Sequence, residues 1–112
     1  MKRNKFRAWH KEKKCWMSLH NNGYSFNPNN GQIYYEGLNV SSRIDLMQYT
    51  GLKDKNGKEI YEADIVIDTN GDSGQVVFSN GMFVRRVNGE WGQNLQSYHE
   101  VIGNIYENPE LL

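Results

Sequence analysis

Residues Asp64 to Val87 read DIVIDTNGDSGQVVFSNGMFVRRV. Ile65-Val66-Ile67 is β-branched and apolar on both faces, the pattern of a strand buried in the middle of a sheet. Gln75–Phe78 and Met82–Val87 flank Asn80-Gly81. Gly tolerates positive φ freely and Asn better than most residues, so this dipeptide is a strong short hairpin signal. The stretch is therefore strand, glycine-rich turn, strand, Asn-Gly turn, strand. The same punctuation recurs at Asn22-Gly23, Asn30-Gly31, Asn56-Gly57, Asn70-Gly71 and Asn88-Gly89. If each pair takes two successive residues to positive φ, the whole chain is a β-meander.

Working outward, Leu46–Thr50 reads as a strand, Asp54-Lys55-Asn56-Gly57 as a turn and Lys58–Tyr61 as the return. Tyr98–Tyr106 is the last long strand, with Val101, Gly103 and Ile105 expected on one face. Asn108-Pro109-Glu110 has the cap, the first-position proline and the acidic residue of a helix start, with room for one turn. Upstream, Tyr24 and Phe26 suit a short strand, as does Gln32–Glu36. Gly37–Asp45 has no strong period and is expected to be a short helix or a long loop.

Nearest the N-terminus, Lys5–His10 and Lys14–His20 alternate about a polar turn at Lys11–Lys14, which predicts a hairpin. Pairing His10 with Cys15 sets Ala8 against Met17 and Phe6 against Leu19, and puts Trp9 opposite Trp16. The expected fold is mainly β. An N-terminal β-hairpin and strand region, residues 1–45, precedes a small SH3-like barrel, residues 46–112, with at most short helical turns.

The chain has 112 residues, enough for one domain with a real core, and its aromatic content separates it from disordered chains. With a single cysteine, Cys15, no internal disulfide can form, and a reducing compartment is the simplest expectation. No apolar run approaches a membrane span, and no signal-peptide core follows the basic N-terminus. A cytoplasmic protein with no membrane partner is expected. Although the formal net charge is zero, the first fourteen residues hold Lys2, Arg3, Lys5, Arg7, Lys11, Lys13 and Lys14 against Glu12 alone. Such a segment is a basic arm for nucleic acid, a surface that meets the acidic body of another copy, or a solvated face.

Chemistry is hard to find in the sequence. His10, His20 and His99 have no metal-ligand spacing to one another or to Cys15, so no metal or cofactor is expected. Gly71-Asp72-Ser73-Gly74 is similar to a hydrolase serine motif, but it falls between strands, where a nucleophile elbow needs a following helix. Glu59, Glu62 and Asp64 surround Tyr61 and could pair for acid–base work; at a strand entry, carboxylates more often bind backbone amides. Cys15 falls on the apolar face of its strand and reads as a small core residue. The one surface constellation is Lys5, Arg7, Trp9, Lys14 and Trp16. Cations interleaved with aromatics suit a subunit interface or stacked bases; the alternative is burial of the tryptophans by the chain's own strands. No catalytic residues are assigned and no enzyme is expected.

Three strings carry a resemblance: Lys5-Phe6-Arg7-Ala8-Trp9, then Leu46 through Val66 (LMQYTGLKDKNGKEIYEADIV), and Val101 through Leu112 (VIGNIYENPELL). They resemble the YopX family of small phage and prophage proteins, across nearly the whole chain. His10 and Ala63 depart from the family pattern, which often has Asp and Gly there; an alanine implies that position 63 does not need positive φ and that its turn is helical. The resemblance implies a β fold with an SH3-like barrel, self-association, and the cytoplasm of a bacterial host. It brings no activity and no catalytic residues. The expected function is a self-associating, non-catalytic β module that binds a protein partner, with a nucleic-acid-binding accessory or regulatory protein as the alternative.

Overall fold

A computed structural model describes residues 5–17, 24–27, 29–79, 81–86, 94–96 and 99–111. The described residues are mainly β, with strands β1 (Phe6–His10), β2 (Cys15–Met17), β3 (Tyr24–Asn27), β4 (Gln32–Tyr35), β5 (Leu38–Asn39) and β6 (Ile44–Lys53). They continue with β7 (Glu59–Tyr61), β8 (Asp64–Ile67), β9 (Ser73–Ser79), β10 (Met82–Arg86) and β11 (Glu100–Asn104). Helical structure among them is confined to single 3₁₀ turns at Ser41–Arg43 and Pro109–Leu111. The chain divides into Met1–Met47 and Gln48–Leu112, with β6 contributing its first residues to one unit and its remainder to the other.

In the N-terminal unit β1 and β2 pair antiparallel, with Ala8 opposite Met17, Trp9 opposite Trp16 and His10 opposite Cys15, the register that alternation predicts. The fourth expected pair, Phe6 with Leu19, lies outside the described residues. Strands β3, β4 and β5 form a second antiparallel sheet. Ala8, Ile33, Val40 and Ile44 make the core, and Phe6, Met17, Tyr24, Phe26 and Leu46 pack against it. Gly37–Asp45 holds both β5 and the first 3₁₀ turn. Ser41 fixes this segment: its Oγ accepts the Ile33 N–H at 2.8 Å, while the Val40 N–H reaches the Ile33 carbonyl at 2.8 Å.

The Asn-Gly turns are not of the type expected. At Asn30-Gly31, Asn56-Gly57 and Asn70-Gly71 only the glycine has positive φ. The reason is a preceding aspartate in two of them. In Asp54-Lys55-Asn56-Gly57, the Asp54 Oδ1 accepts the N–H groups of Asn56 (2.8 Å) and Lys58 (2.9 Å), and the Gly57 N–H bonds to the Asp54 carbonyl (3.0 Å). In Asp68-Thr69-Asn70-Gly71 the Asp68 Oδ1 takes Asn70 and Asp72, both at 2.9 Å, and Gly71 bonds back at 3.2 Å. These are three-residue loops closed by a left-handed glycine. The mirror-image two-residue turn occurs instead at Glu36-Gly37, with φ of 48° and 83°, between paired Tyr35 and Leu38.

In the C-terminal unit the order is β10-β9-β8-β11, with β8 central and Ile65 and Val66 fully buried. Ile60, Val66, Val76 and Leu95 form its core, with Phe83 and Val101 against them. The pairings among the described residues leave β10 and β11 as the sheet's edges and do not themselves close a barrel. Val101 pairs with Val66, but Gly103 pairs with Ile65, so β11 holds one extra residue. This bulge puts Val101 and Gly103 on opposite faces, contrary to the expected alternation, and leaves Ile102 exposed. Gly74 is needed for close approach: a Cβ there would sit 2.4 Å from the Arg86 carbonyl oxygen. Ala63, expected to avoid positive φ, has φ of 72°. Its N–H binds the Val76 carbonyl (2.9 Å) and its carbonyl takes the Ile105 N–H (3.0 Å), and these two ladders hold it there.

Candidate ligand cleft and basic hairpin

The β1–β2 turn begins with His10, whose carbonyl accepts the Lys14 N–H at 2.8 Å; Lys14 reverses the chain at φ of 51°. The Lys13 N–H donates to the His10 Nδ1 at 3.1 Å. A ring nitrogen that accepts a backbone N–H carries no proton, so in the neutral ring the proton sits on Nε2. His10 is buried and lines an open cleft of about 350 Å³, together with Lys13, Cys15, Trp16, Met17, Tyr24 and Tyr35. The cleft thus joins the end of the hairpin to the β3–β4 pair within one unit.

Cys15 is exposed, contrary to the reading of a core residue. It belongs to β2, an edge strand, at the pair next to the turn; further along, Ala8 and Met17 reach the core and Cys15 does not. His10 stands opposite it but is oriented as a donor. Its one lone pair is engaged by Lys13, so it is not arranged to take a proton from a thiol.

The expected surface set divides. Trp9 is buried at 8% exposure, while Trp16 is 37% exposed. Their rings meet edge to face at 4.9 Å, and the Arg7 guanidinium lies 4.6 Å from the Trp16 ring centroid. Lys5 and Lys14 are exposed and Arg7 is half-buried. Trp9 therefore supports the hairpin from beneath, and Lys5, Arg7, Lys14 and Trp16 present it.

Two of the three carboxylates near Tyr61 accept backbone N–H groups. Glu62 Oε1 accepts the Gln48 N–H and Asp64 Oδ2 accepts the Tyr61 N–H, both at 2.8 Å. Ser73 opens β9 opposite Ile67, and no helix follows it among the described residues. Among those residues no group of three or more His, Cys, Asp or Glu is placed to hold a metal ion, and no helix is long and apolar enough to cross a membrane.

A buried ionic cluster in the C-terminal unit was not foreseen. Arg85 Nη1 lies 2.9 Å from Asp68 Oδ2 and donates to the Asp72 carbonyl at 2.6 Å, with both charged side chains at least 95% covered. The Asp68 pKa is lowered, first by its turn hydrogen bond from Asp72; burial opposes this, and Arg85 adds to the lowering. His99 is fully buried, with Nδ1 against the Gln96 N–H and carbonyl. Burial pushes its pKa down; the Gln96 bond opposes this, and the Arg85 charge reinforces it. The only sequence signal was a pair of arginines in an otherwise apolar strand.

Fold and site together define a small, mainly β chain of two strand-built units. The chain belongs to the YopX protein family, whose model matches residues 5–112. It is similar to protein EF1440 from Enterococcus faecalis, known from a crystal structure, with 28% identity over 97% of each chain and a TM-score of 0.62. No curated protein matches it.

Proposed function

We propose that this protein is a non-catalytic β module of phage or prophage origin that self-associates and binds a protein partner in the cytoplasm of its bacterial host. The observation that carries this reading is charge segregation. Residues 1–47 hold eight Lys and Arg against three Asp and Glu, and residues 48–112 hold five against ten. The net charges are +5 and −5, so the basic unit of one copy is complementary to the acidic unit of the next. Trp16 under Arg7 is the kind of aromatic–guanidinium anchor that interfaces favour. Light scattering after gel filtration tests it. A species larger than the monomer should form at low salt, shrink as salt rises, and weaken in Lys5→Glu/Lys14→Glu. A salt-independent monomer at high micromolar concentration would end the assembly reading.

A second reading, a nucleic-acid accessory protein, is favoured by the same half-exposed Trp16 flanked by cations, which suits base stacking with phosphate neutralisation. It requires binding that falls steeply with salt and with Trp16→Ala.

A further inference from the structure

The cleft of the N-terminal unit holds polar groups for which the fold supplies no partner among the described residues. His10 is 6% exposed, lines the cleft, and spends only its Nδ1, on Lys13. Its Nε2–H makes no hydrogen bond among the described residues, although the residue as a whole is buried at the cleft, so it can donate to an occupant. Lys13 stands at the same cleft, exposed, and its ammonium makes no ion pair among the described residues. Tyr24 and Tyr35, opposite each other on β3 and β4, bring their rings to 4.7 Å at a 42° tilt, and with Trp16 they give the cleft aromatic walls.

We infer that this cleft is a nucleotide site, taking a planar base together with its phosphate. The aromatic walls supply the stacking surface, which any base accepts because every base has a π-face. The His10 Nε2–H supplies the single directional contact, and all four bases carry an acceptor that meets it. Lys13 supplies the charge for the phosphate. At about 350 Å³ the cleft is near the small end of ligand pockets, the right scale for one nucleotide and too small for a folded partner. The same chemistry is offered by a free mononucleotide or by the end of a single strand. The inference does not depend on self-association.

Cys15, the protein's one cysteine, lines the cleft and is exposed, so its alkylation by iodoacetamide reports directly on occupancy. In the full chain, AMP should slow alkylation several-fold and saturably, adenosine should do so at higher concentration, and inorganic phosphate alone should not. Lys13→Gln should weaken AMP about tenfold and leave adenosine unchanged. Tyr35→Ala, at an exposed position, should weaken both. His10→Gln, which retains an N–H donor and an acceptor for Lys13, should bind, and His10→Phe should not; circular dichroism confirms that each variant is folded. A tetranucleotide of deoxyadenosine protecting far below the AMP concentration assigns the site to a strand end, and equal protection assigns it to a free nucleotide. No protection by AMP or the tetranucleotide, equal protection by phosphate alone, or indifference to Lys13→Gln would overturn the proposal. Light scattering on the same samples scores assembly separately.

Discussion

Replacing Asp54 with alanine should destabilise the C-terminal unit by about 3 kcal/mol, the sum of three lost backbone hydrogen bonds. The side chain is buried, yet it satisfies three donors: Asn56 (2.8 Å) and Lys58 (2.9 Å) on Oδ1, and Val101 (3.0 Å) on Oδ2. Asn56 and Lys58 are exposed, so water replaces much of what they lose, leaving a net cost of ~0.5–1 kcal/mol each. The Val101 N–H belongs to a half-buried strand start 47 positions away, and stranding it costs ~1–3 kcal/mol. The total is a large share of the ~5–15 kcal/mol that holds a domain together. With a urea slope of ~2 kcal/mol/M, the midpoint should fall by roughly 1.5 M at unchanged slope. Asp54→Asn keeps one acceptor but turns an amide N–H toward the Val101 N–H, so it should lose about half as much. Urea titrations followed by circular dichroism decide the matter. A midpoint shift under ~0.3 M for the alanine variant would refute the claim that this carboxylate ties the β6–β7 turn to β11. The pH dependence carries a second check. Burial raises the Asp54 pKa, but the N–H groups of Val101, Lys58 and Asn56 and the Lys58 charge outweigh it, so the folded value lies below 3.8. The unfolded chain therefore takes up the proton first. The contribution is complete well above pH 3.8 and is lost as pH falls through the folded value, a loss that Asp54→Asn should abolish.

Further outcomes follow from neighbouring features. His99 has a folded pKa below 6.5, so the unfolded state binds more protons beneath that pH; stability should fall as pH drops through 6.5, and His99→Gln should flatten the slope in pH-stepped denaturation. Ala63→Gly relieves a left-handed alanine (~1–2 kcal/mol) but loses a buried methyl (~0.8 kcal/mol) and backbone entropy, so thermal melts should differ by under ~1 kcal/mol, whereas Ala63→Val should be clearly destabilising. Arg85→Met should cost more with Asp68 intact than in an Asp68→Asn background, a coupling that a double-mutant cycle reads directly.

Legibility differed from element to element for physical reasons. The β1–β2 register was readable because two alternating runs of matched length leave one pairing that puts apolar residues together. The buried β8 was readable because only a central strand tolerates Ile-Val-Ile on both faces. Glu36-Gly37 and Ala63 were not, because neither glutamate nor alanine favours positive φ; strand pairing imposes it on both. The bulge at Ile102 has no local signal, since it depends on what β8 offers opposite. Of the cleft, the His10–Cys15 end was visible in the hairpin, but Tyr24 and Tyr35 arrive from another sheet, and an alternating pattern says nothing of which sheets converge. Arg85, Asp68 and His99 come together only through the tertiary fold.

The paired loops at Asp54 and Asp68 divide labour between two oxygens. In each, Oδ1 shapes the reversal; Oδ2 is left over, and it clasps Val101 in one case and Arg85 in the other. A generic bend thereby acquires an address. Grafting the four residues 68–71 in place of 54–57 should preserve the bend and also the Val101 clasp, since the sequences differ only at Lys55 and Thr69. What the graft would forfeit is the outer tether, the Lys55 ammonium 3.5 Å from Glu100. Loops of this kind can be traded between neighbours without redrawing the sheet beneath them.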